Sequence, residues 1–184
     1  MSSQEEIRAI ALAEFASAGY AGTSLQRIAE VAGVSKSSVL YHYSSKEALL
    51  EAAIAPAIDR MAQILERYIV VGLADDERVE FLEKFVDFIL EHRLEVHMFI
   101  NQGPSLGGVP VIERANALVM RLAEFFSTAS ETLEEKMRFG IALGGAAYML
   151  CTVQNLGLDV GSPEETRVAL LSIMSQLLAP VPLR

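Results

Sequence analysis

The chain has a single cysteine, Cys151, and no tryptophan. One cysteine excludes an intramolecular disulfide and the paired cysteine spacing of a zinc finger. The N-terminal residues MSSQEEIRAIAL place acids where a signal peptide needs a basic region, so they do not indicate export. We therefore expect a cytoplasmic protein whose fold is not cross-linked.

Stretches that alternate apolar and polar residues are almost absent, and prolines number only 6. Alternation is typical of half-buried strands, whereas apolar residues here recur every three or four positions, as in helices. With 184 residues, 52% of them hydrophobic, the chain is long enough for a sizeable core. The pattern predicts an all-α fold. After the N-terminal helices it predicts helices over 45–71, 77–91, 93–101, 109–127, 139–158 and 166–178.

Positive charge is scarce, since 15 Lys and Arg residues stand against 24 Asp and Glu, for a formal net charge of -9. Residues 1–50 hold four cations and five acids (net −1), and the remainder holds eleven and nineteen (net −8). The acidity therefore lies in the second part of the chain. In the first part, Arg27, Lys36 and Lys46 can still form a local positive strip, which favours modest and salt-dependent binding to an anionic partner.

Residues 139–158 contain no charged side chain, and Gly140 with Gly144 forms a G-x-x-x-G pair. A run of about 20 residues is long enough to span a bilayer. This one contains four glycines and three polar side chains, however, and no basic cluster follows it. We interpret it as a helix buried on every side, with one face in its own domain and a face of small residues that another helix can approach closely.

The most informative stretch is TSLQRIAEVAGVSKSSVLYHYSSK, residues 23–46. Thr23 and Gln26 are predicted to form a capping box that opens a short helix. Gly33 suits the left-handed conformation that ends it, and a second helix is predicted from Lys36 to Tyr43. Two short helices joined in this way form a helix-turn-helix, in which the second helix enters the DNA major groove.

The flanks of this stretch make the pattern more specific. The lead-in F-x-x-x-G-Y-x-x-T-S, the core I-A-x-x-A-G-V-S-K and the exit Y-H-Y-S-S-K-E-A-L-L together resemble the TetR (tetracycline-repressor-like) family of one-component regulators. The resemblance covers about residues 7–50. It implies a three-helix DNA-binding domain over residues 1–46 and a helical ligand-binding and dimerisation domain over 47–184. Leu40 stands where the family often has an aromatic residue, with Tyr41 one place later, which leaves open which ring contacts a phosphate.

The side chains expected to bind DNA are cationic, hydroxyl-bearing or aromatic residues of the helix-turn-helix and its flanks. They are Thr23, Arg27, Lys36, Ser37, Ser38, Tyr41, His42 and Lys46. The resemblance implies that Thr23 and Lys46 contact phosphates, that Arg27 reaches the backbone or a groove edge, and that residues 36–41 face the bases. Short serines allow a close approach to the groove floor, and a lysine can donate to guanine. For His42, packing against the first helix is the alternative.

Nothing in the sequence indicates an enzyme. His92 and His97 are five residues apart and so do not share a helix face, and no nucleophile-elbow or phosphate-loop motif occurs. Cys151 lies in an apolar helix with no basic neighbour, which is typical of a small core residue. We expect no catalytic residue, metal or cofactor.

The C-terminal domain is expected to hold an effector pocket between its helices. Candidate lining residues combine apolar side chains with a few polar groups: His97, Met98, Asn101, Met120, Tyr148, Cys151 and Gln154. The alternative for each is an ordinary core position. The effector would be small and largely apolar, and a weak positive charge would suit the acidic domain.

Dimerisation is expected through the last two long helices, as in the family. The predicted interface residues are Gly140, Gly144, Ala147, Val168, Leu171, Ser175 and Leu178. Together these features predict a homodimeric repressor that binds an inverted-repeat operator and is released by its effector. One alternative is a dimeric DNA-binding protein without a ligand. Another is a helical scaffold or binding protein in which the helix-turn-helix serves only packing.

Overall fold

A computed structural model describes residues 3–72, 75–130, 132–152 and 161–179. Within these ranges the chain forms helices and no strand, which confirms the all-α prediction. The α-helices are α1 Ser3–Ala18, α2 Leu25–Val31, α3 Lys36–His42, α4 Lys46–Val71, α5 Asp75–Glu91, α6 Arg93–Gln102, α7 Pro110–Ala129, α8 Leu133–Thr152 and α9 Pro163–Leu177. A short 3-10 helix, Gly103–Leu106, lies in the glycine-rich loop between α6 and α7.

Helix α8 begins earlier than predicted. The hydroxyl of Thr132 accepts the Glu135 N–H at 3.2 Å, and the Glu135 carboxylate accepts the Thr132 N–H at 3.1 Å. This capping box opens the helix before the charge-free run on which the prediction rested. The end of the predicted helix, residues 153–158, lies outside the described residues.

Helix α4 runs unbroken from Lys46 to Val71 with Pro56 inside it. A proline removes one backbone hydrogen bond from a helix interior, so the sequence predicts that Pro56 kinks or divides this segment. The unbroken helix excludes a division at Pro56, and a kink there stays a prediction. Ser44 and Glu47 have the spacing of a capping box, so the sequence predicts that they cap α4, but the structure differs. The hydroxyl of Ser45 accepts the Ala48 N–H at 3.0 Å.

The chain divides into two compact units. Unit 1 comprises Met1–Asp59 and Leu94–Asn116, and unit 2 comprises Arg60–Arg93 and Ala117–Arg184. Helices α4 and α7 each contribute to both units. Unit 1 thus contains α1 to α3, the first half of α4, nearly all of α6 and the start of α7. The predicted functional boundary between residues 46 and 47 stays a prediction.

In unit 1, α1 packs against α2, and α2 packs against α3. The Tyr43 hydroxyl, at the end of α3, donates to the Gln4 carbonyl in α1 at 2.9 Å. Large side chains of this unit are fully buried, among them Ile7, Phe15, Ile28, Leu49, Leu50 and Ile54. Burying each contributes about 1.5–3 kcal/mol, which keeps the short helices in place.

In unit 2, α5, α8 and α9 pack against one another. Aromatic rings fill its interior. Phe81 lies 5.3 Å from Tyr68 and 5.1 Å from Phe126, and Phe126 stacks on Phe139 at 4.4 Å between ring centroids. Such contacts stabilise beyond the area that they bury.

The predicted inner face of α8 is confirmed, since Phe139, Leu143 and Leu150 are buried. Within the single chain its other side is open, since Ile141 and Tyr148 are 60% and 57% exposed. Burial of that side by another helix stays a prediction. In the described ranges no helix combines the length and the apolar character needed to cross a membrane.

Candidate nucleic-acid interface

Helices α2 and α3 meet at a tight turn. Ala29 and Val39, one from each helix, are fully buried. Gly33 adopts a φ of +66°, and the next amide, Val34 N–H, donates to the Ala29 carbonyl at 2.9 Å. Ser35 then caps α3 by accepting the Ser38 N–H at 3.0 Å. The predicted helix-turn-helix is therefore present.

Helix α3 presents one face to solvent and one to the interior. Val39 is buried, whereas Lys36 and Ser37 are exposed and the Tyr41 ring is 86% exposed. Tyr43, just beyond the helix, is only 6% exposed. The outward face thus carries a cation, a hydroxyl group and an aromatic ring, which are the side-chain types that contact phosphates and base edges.

Hydroxyl groups cluster at the start of α3. Ser35 Oγ lies 2.8 Å from Ser37 Oγ and 2.9 Å from Ser38 Oγ. Ser38 is half-buried and Ser37 exposed, so the two predicted contact residues differ in access. A hydroxyl both donates and accepts, so this cluster can turn its hydrogens toward an acceptor. His42 is half-buried beside the Tyr41 ring, with ring centroids 5.3 Å apart.

The cations of the predicted strip have different surroundings. Arg27 is paired with Glu14 at 3.1 Å, while Lys36 is exposed. Lys46, the first residue of α4, has its ammonium 4.2 Å from the centre of the Tyr20 ring, and burial lowers its pKa below the usual value. Lys46 lies at the N-terminus of α4, and a helix N-terminus together with an ammonium group favours an anion such as a phosphate.

Thr23 is placed differently from the prediction. It is only 2% exposed, and its hydroxyl lies 2.8 Å from the Gly19 carbonyl and 3.0 Å from the Glu14 carbonyl. The cap of α2 is Ser24, which accepts the Arg27 N–H at 3.1 Å. The expected capping box at Thr23 and its contact with a phosphate are therefore corrected. This side chain closes the α1–α2 turn instead.

Sequence reasoning missed Gln102, the last residue of α6. Its side-chain amide donates to the Phe15 carbonyl at 2.7 Å, and its oxygen accepts the Tyr20 N–H at 2.6 Å. Both partners belong to the end of α1 and the turn that follows it, so Gln102 ties α6 to the α1–α2 turn within unit 1. Tyr20 in turn supports Lys46, so the contacts run from α6 to the start of α4.

The predicted dimer residues can be placed in unit 2. Gly140, Gly144, Val168 and Ser175 are exposed, and Ala147 and Leu171 are half-buried. Leu178 is 6% exposed, and its carbonyl accepts a hydrogen bond from Arg78 at 3.4 Å. Its side chain therefore lies in the interior of its own chain, and the prediction that it belongs to the dimer interface is corrected. Large apolar side chains accompany the exposed residues: Met137, Ile141, Tyr148, Met149, Val168 and Ile173.

The predicted effector residues lie in both units. In unit 1, Met98 is fully buried, His97 is half-buried, and Asn101 is exposed. In unit 2, Met120 and Tyr148 are 61% and 57% exposed. Cys151 in the same unit is buried, and Gln154 lies outside the described residues. Which of these residues contact an effector stays a prediction.

The described part of the chain contains no group of three or more His, Cys, Asp or Glu side chains that could hold a metal ion. Burial raises the pKa of the Cys151 thiol to about 11, against the opposing charge of Arg93. At neutral pH this group is a protonated thiol, which is a poor nucleophile.

The geometry agrees with the comparisons to known proteins. A profile of the bacterial regulatory proteins of the tetR family matches residues 7–53. The solved structure of SCO3833, a TetR transcriptional regulator family member from Streptomyces coelicolor, superposes with a TM-score of 0.71. The alignment covers 97% of this chain and 90% of that one at 22% identity, which shows a shared fold. Residues 7–53 thus match the TetR family, and nearly the whole chain shares the fold of a TetR family member. This is a family of transcriptional regulators and not of enzymes.

Two curated relatives match part of the chain. The HTH-type transcriptional regulator RutR of Escherichia coli is 45% identical over 56 residues, which are 30% of this chain and 26% of RutR. IcaR, a negative transcriptional regulator of a biofilm operon in Staphylococcus epidermidis, is 26% identical over 95 residues, 52% of this chain and 51% of IcaR. The chain thus spans about a quarter of RutR and half of IcaR.

Proposed function

We propose that this TetR-family chain is a transcriptional repressor that binds an inverted-repeat operator as a homodimer and is released by a small effector. The observation that carries the proposal is the solvent face of α3, where the 86% exposed Tyr41 ring lies on the same helix as exposed Lys36 and Ser37. An exposed aromatic ring, a cation and a hydroxyl group on one helix face are the side-chain types that contact phosphates and base edges. Operator DNA also implies a cytoplasmic location.

On DNA, α3 would lie in the major groove with Lys36 and Ser37 toward the bases and Tyr41 toward a phosphate. Lys46 and the first amides of α4 would hold a second phosphate. Arg27 shares its charge with Glu14, so it would contribute less than Lys36. Few cations act in this interface, which is why we expect modest affinity.

The exposed apolar face of α8 and α9 supports a dimer. Gly140 and Gly144 are exposed, and apart from the neighbouring residues and backbone of α8 itself no described atom would approach a Cβ placed on either within 4 Å. Glycines on an exposed helix face let a second helix come close, and the neighbouring apolar side chains add area to bury. A two-fold axis through this face would give the dimer two copies of α3. An inverted repeat whose half-sites lie about 34 Å apart, centre to centre, would match the two helices.

Effector release needs a physical connection to the DNA-binding residues. The contacts of Gln102 with the α1–α2 turn, and of Tyr20 with Lys46, provide one within unit 1. A largely apolar effector contacting α6, where Met98 is buried, would act through these contacts. A 100-fold loss of DNA affinity requires the effector to prefer the released state by about 2.7 kcal/mol.

The DNA proposal is tested by fluorescence anisotropy with the duplex upstream of the protein's own gene, over a range of salt concentrations. Lys36→Ala should weaken binding and reduce the slope of log K against log salt by about 1, since one phosphate or base contact by a cation is lost. Tyr41→Ala should weaken binding with little change in slope. Lys84→Ala removes an exposed cation from α5 and is the matched control.

The alternatives make different predictions in this assay. A scaffold protein would not bind the duplex at low salt, or would bind it equally well after both substitutions in α3. A ligand-independent regulator would bind DNA and respond to Lys36→Ala, yet no compound in a panel of small apolar molecules would release it. Binding that responds equally to Lys36→Ala and Lys84→Ala would contradict a role for α3.

A further inference from the structure

A small pocket in unit 2 lies where several helix ends meet. It is bounded by Arg78 near the start of α5, Ser130 just after α7, Glu135 and Arg138 at the start of α8, and Leu178 just after α9. Its volume is about 170 Å³. A single water needs only about 10–15 Å³ by a comparable measure, so there is room for a small organic ion. None of these residues belongs to the proposed DNA interface.

Two hydrogen-bond donors in this pocket lack an acceptor. Ser130 is only 8% exposed, and its hydroxyl has no hydrogen-bond partner within the described part of the chain. The Nε of Arg78 is likewise buried without a described partner. Buried donors in folded proteins are almost always paired. Two unpaired donors lining one pocket therefore point to an acceptor that enters from outside.

The position of Arg78 favours an anionic acceptor. Its Nη1 donates to the Leu178 carbonyl at 3.4 Å, and its guanidinium lies 5.6 Å from the centre of the Phe139 ring. These contacts fix the guanidinium plane while its Nε edge stays unused. A planar guanidinium edge fits the two oxygens of a carboxylate, with two parallel hydrogen bonds.

The remaining charges limit the anion to a single negative charge. Arg138 is already paired with Glu134 at 2.8 Å and donates to the Leu177 carbonyl at 2.9 Å. Glu135 adds a carboxylate to the wall, where it also accepts the Thr132 N–H. One cation without a described ion-pair partner, beside an acidic wall, suits a monoanion better than a dianion, because like charges at short range repel.

We propose that this pocket binds a small monocarboxylate, which accepts hydrogen bonds from Arg78 Nε and Ser130 Oγ. It is a site separate from the apolar effector pocket, and it does not depend on DNA binding. A bound carboxylate would join the start of α5 to the ends of α7 and α9. It would therefore stabilise unit 2 and raise the thermal midpoint of the whole chain.

The test is thermal unfolding and titration calorimetry of the full chain with sodium acetate, at constant ionic strength maintained with sodium chloride. At ten times the dissociation constant, acetate should raise the midpoint by about 3 °C. Arg78→Lys keeps the charge but removes Nε, and it should weaken acetate binding at least about tenfold. Arg121→Gln removes a cation of unit 2 that is paired with Glu66 outside the pocket, and it should bind acetate as the unaltered chain does.

Ser130→Ala provides a second test that does not depend on charge. It should leave the midpoint in acetate-free buffer unchanged or higher, because an unpaired buried hydroxyl is removed, and it should still weaken acetate binding. The proposal is overturned if acetate up to 100 mM, on the order of the weakest affinity of interest, leaves the midpoint unchanged. Equal stabilisation of the chain and of Arg78→Lys would overturn it too. Tighter binding of inorganic phosphate than of acetate would contradict the choice of a monocarboxylate.

Discussion

Tyr41 and Tyr43 are two residues apart, yet one ring is 86% exposed and the other 6%. The cause is the end of α3 at His42. Tyr43 takes an extended conformation (φ −135°, ψ 112°) and its hydroxyl reaches the Gln4 carbonyl. From the sequence, either ring was available for a phosphate. Because α3 ends at His42, the Tyr43 ring is buried, and of these two rings only that of Tyr41 is accessible from solvent.

We expect Thr23 to act in stability and Ser37 to act in DNA binding, and substitutions at the two residues test this difference. Thr23→Val should reduce the free energy of unfolding by about 1 kcal/mol, since a buried hydroxyl loses its backbone acceptors. Operator affinity of the folded protein should not change. Ser37→Ala, on the exposed face of α3, should show the reverse. Urea unfolding at fixed protein concentration measures the free energy of unfolding, and fluorescence anisotropy measures the DNA affinity. Weaker DNA binding by a fully folded Thr23→Val protein would contradict a purely structural role for Thr23.

At the scale of helices, the sequence predicted most elements and misplaced two caps by one residue. Both errors fall on adjacent hydroxyl residues, Thr23 with Ser24 and Ser44 with Ser45. Either member of such a pair can cap a helix. Tertiary structure decides between them at α2, because the Thr23 side chain is buried against α1. Local patterns do not contain that information.

Gln102 could not be predicted as part of the site, because its partners lie 82 and 87 residues away in the chain. A glutamine at the end of a helix has no local signature of such a role. Helix α3, in contrast, is defined by neighbouring residues, and its exposed side chains follow from helical spacing alone. Contacts of high sequence separation were therefore the part of the site that the sequence left unpredicted.

The hydrogen bonds of Gln102 lead to a prediction for α6. Gln102→Ala should destabilise unit 1 by about 2 kcal/mol, since a backbone N–H and a carbonyl both lose a partner. Gln102→Glu keeps an acceptor for the Tyr20 N–H but cannot donate to Phe15. Hydrogen exchange followed by NMR should show a faster-exchanging Tyr20 amide in the alanine variant and a protected one in the glutamate variant. If the Tyr20 amide were as well protected in the alanine variant as in the unaltered chain, Gln102 would not hold this turn.

For the assembled molecule, a substitution at Gly144 has different expected effects on a single chain and on a dimer. Within one chain, apart from the neighbouring residues and backbone of α8 itself, a Cβ at this position meets no described atom within 4 Å, so Gly144→Leu should fold and gain roughly 1 kcal/mol of helix propensity. In a dimer joined through α8 the same side chain would collide with the partner helix. We expect light scattering to show a monomer for this variant and a dimer for the unaltered chain.

Gly107→Leu is the control for this experiment, since Gly107 also faces open space but lies outside the α-helices. It adds the same side chain and should leave the dimer intact. A Gly144→Leu protein that remains dimeric would place the interface elsewhere, and a monomeric unaltered chain would remove the two-fold operator from the proposal.

The make-up of unit 1 has a consequence for exchanging parts between relatives. Consider a hybrid regulator in which residues 1–46 of this chain replace the N-terminal residues of a relative. This hybrid would lack Gln102, and the transferred residues would meet a different residue at the end of α6. Its operator preference would transfer, whereas its response to an inducer would be weakened. Carrying residues 94–116 along with residues 1–46 would restore the native pairing and should recover that response.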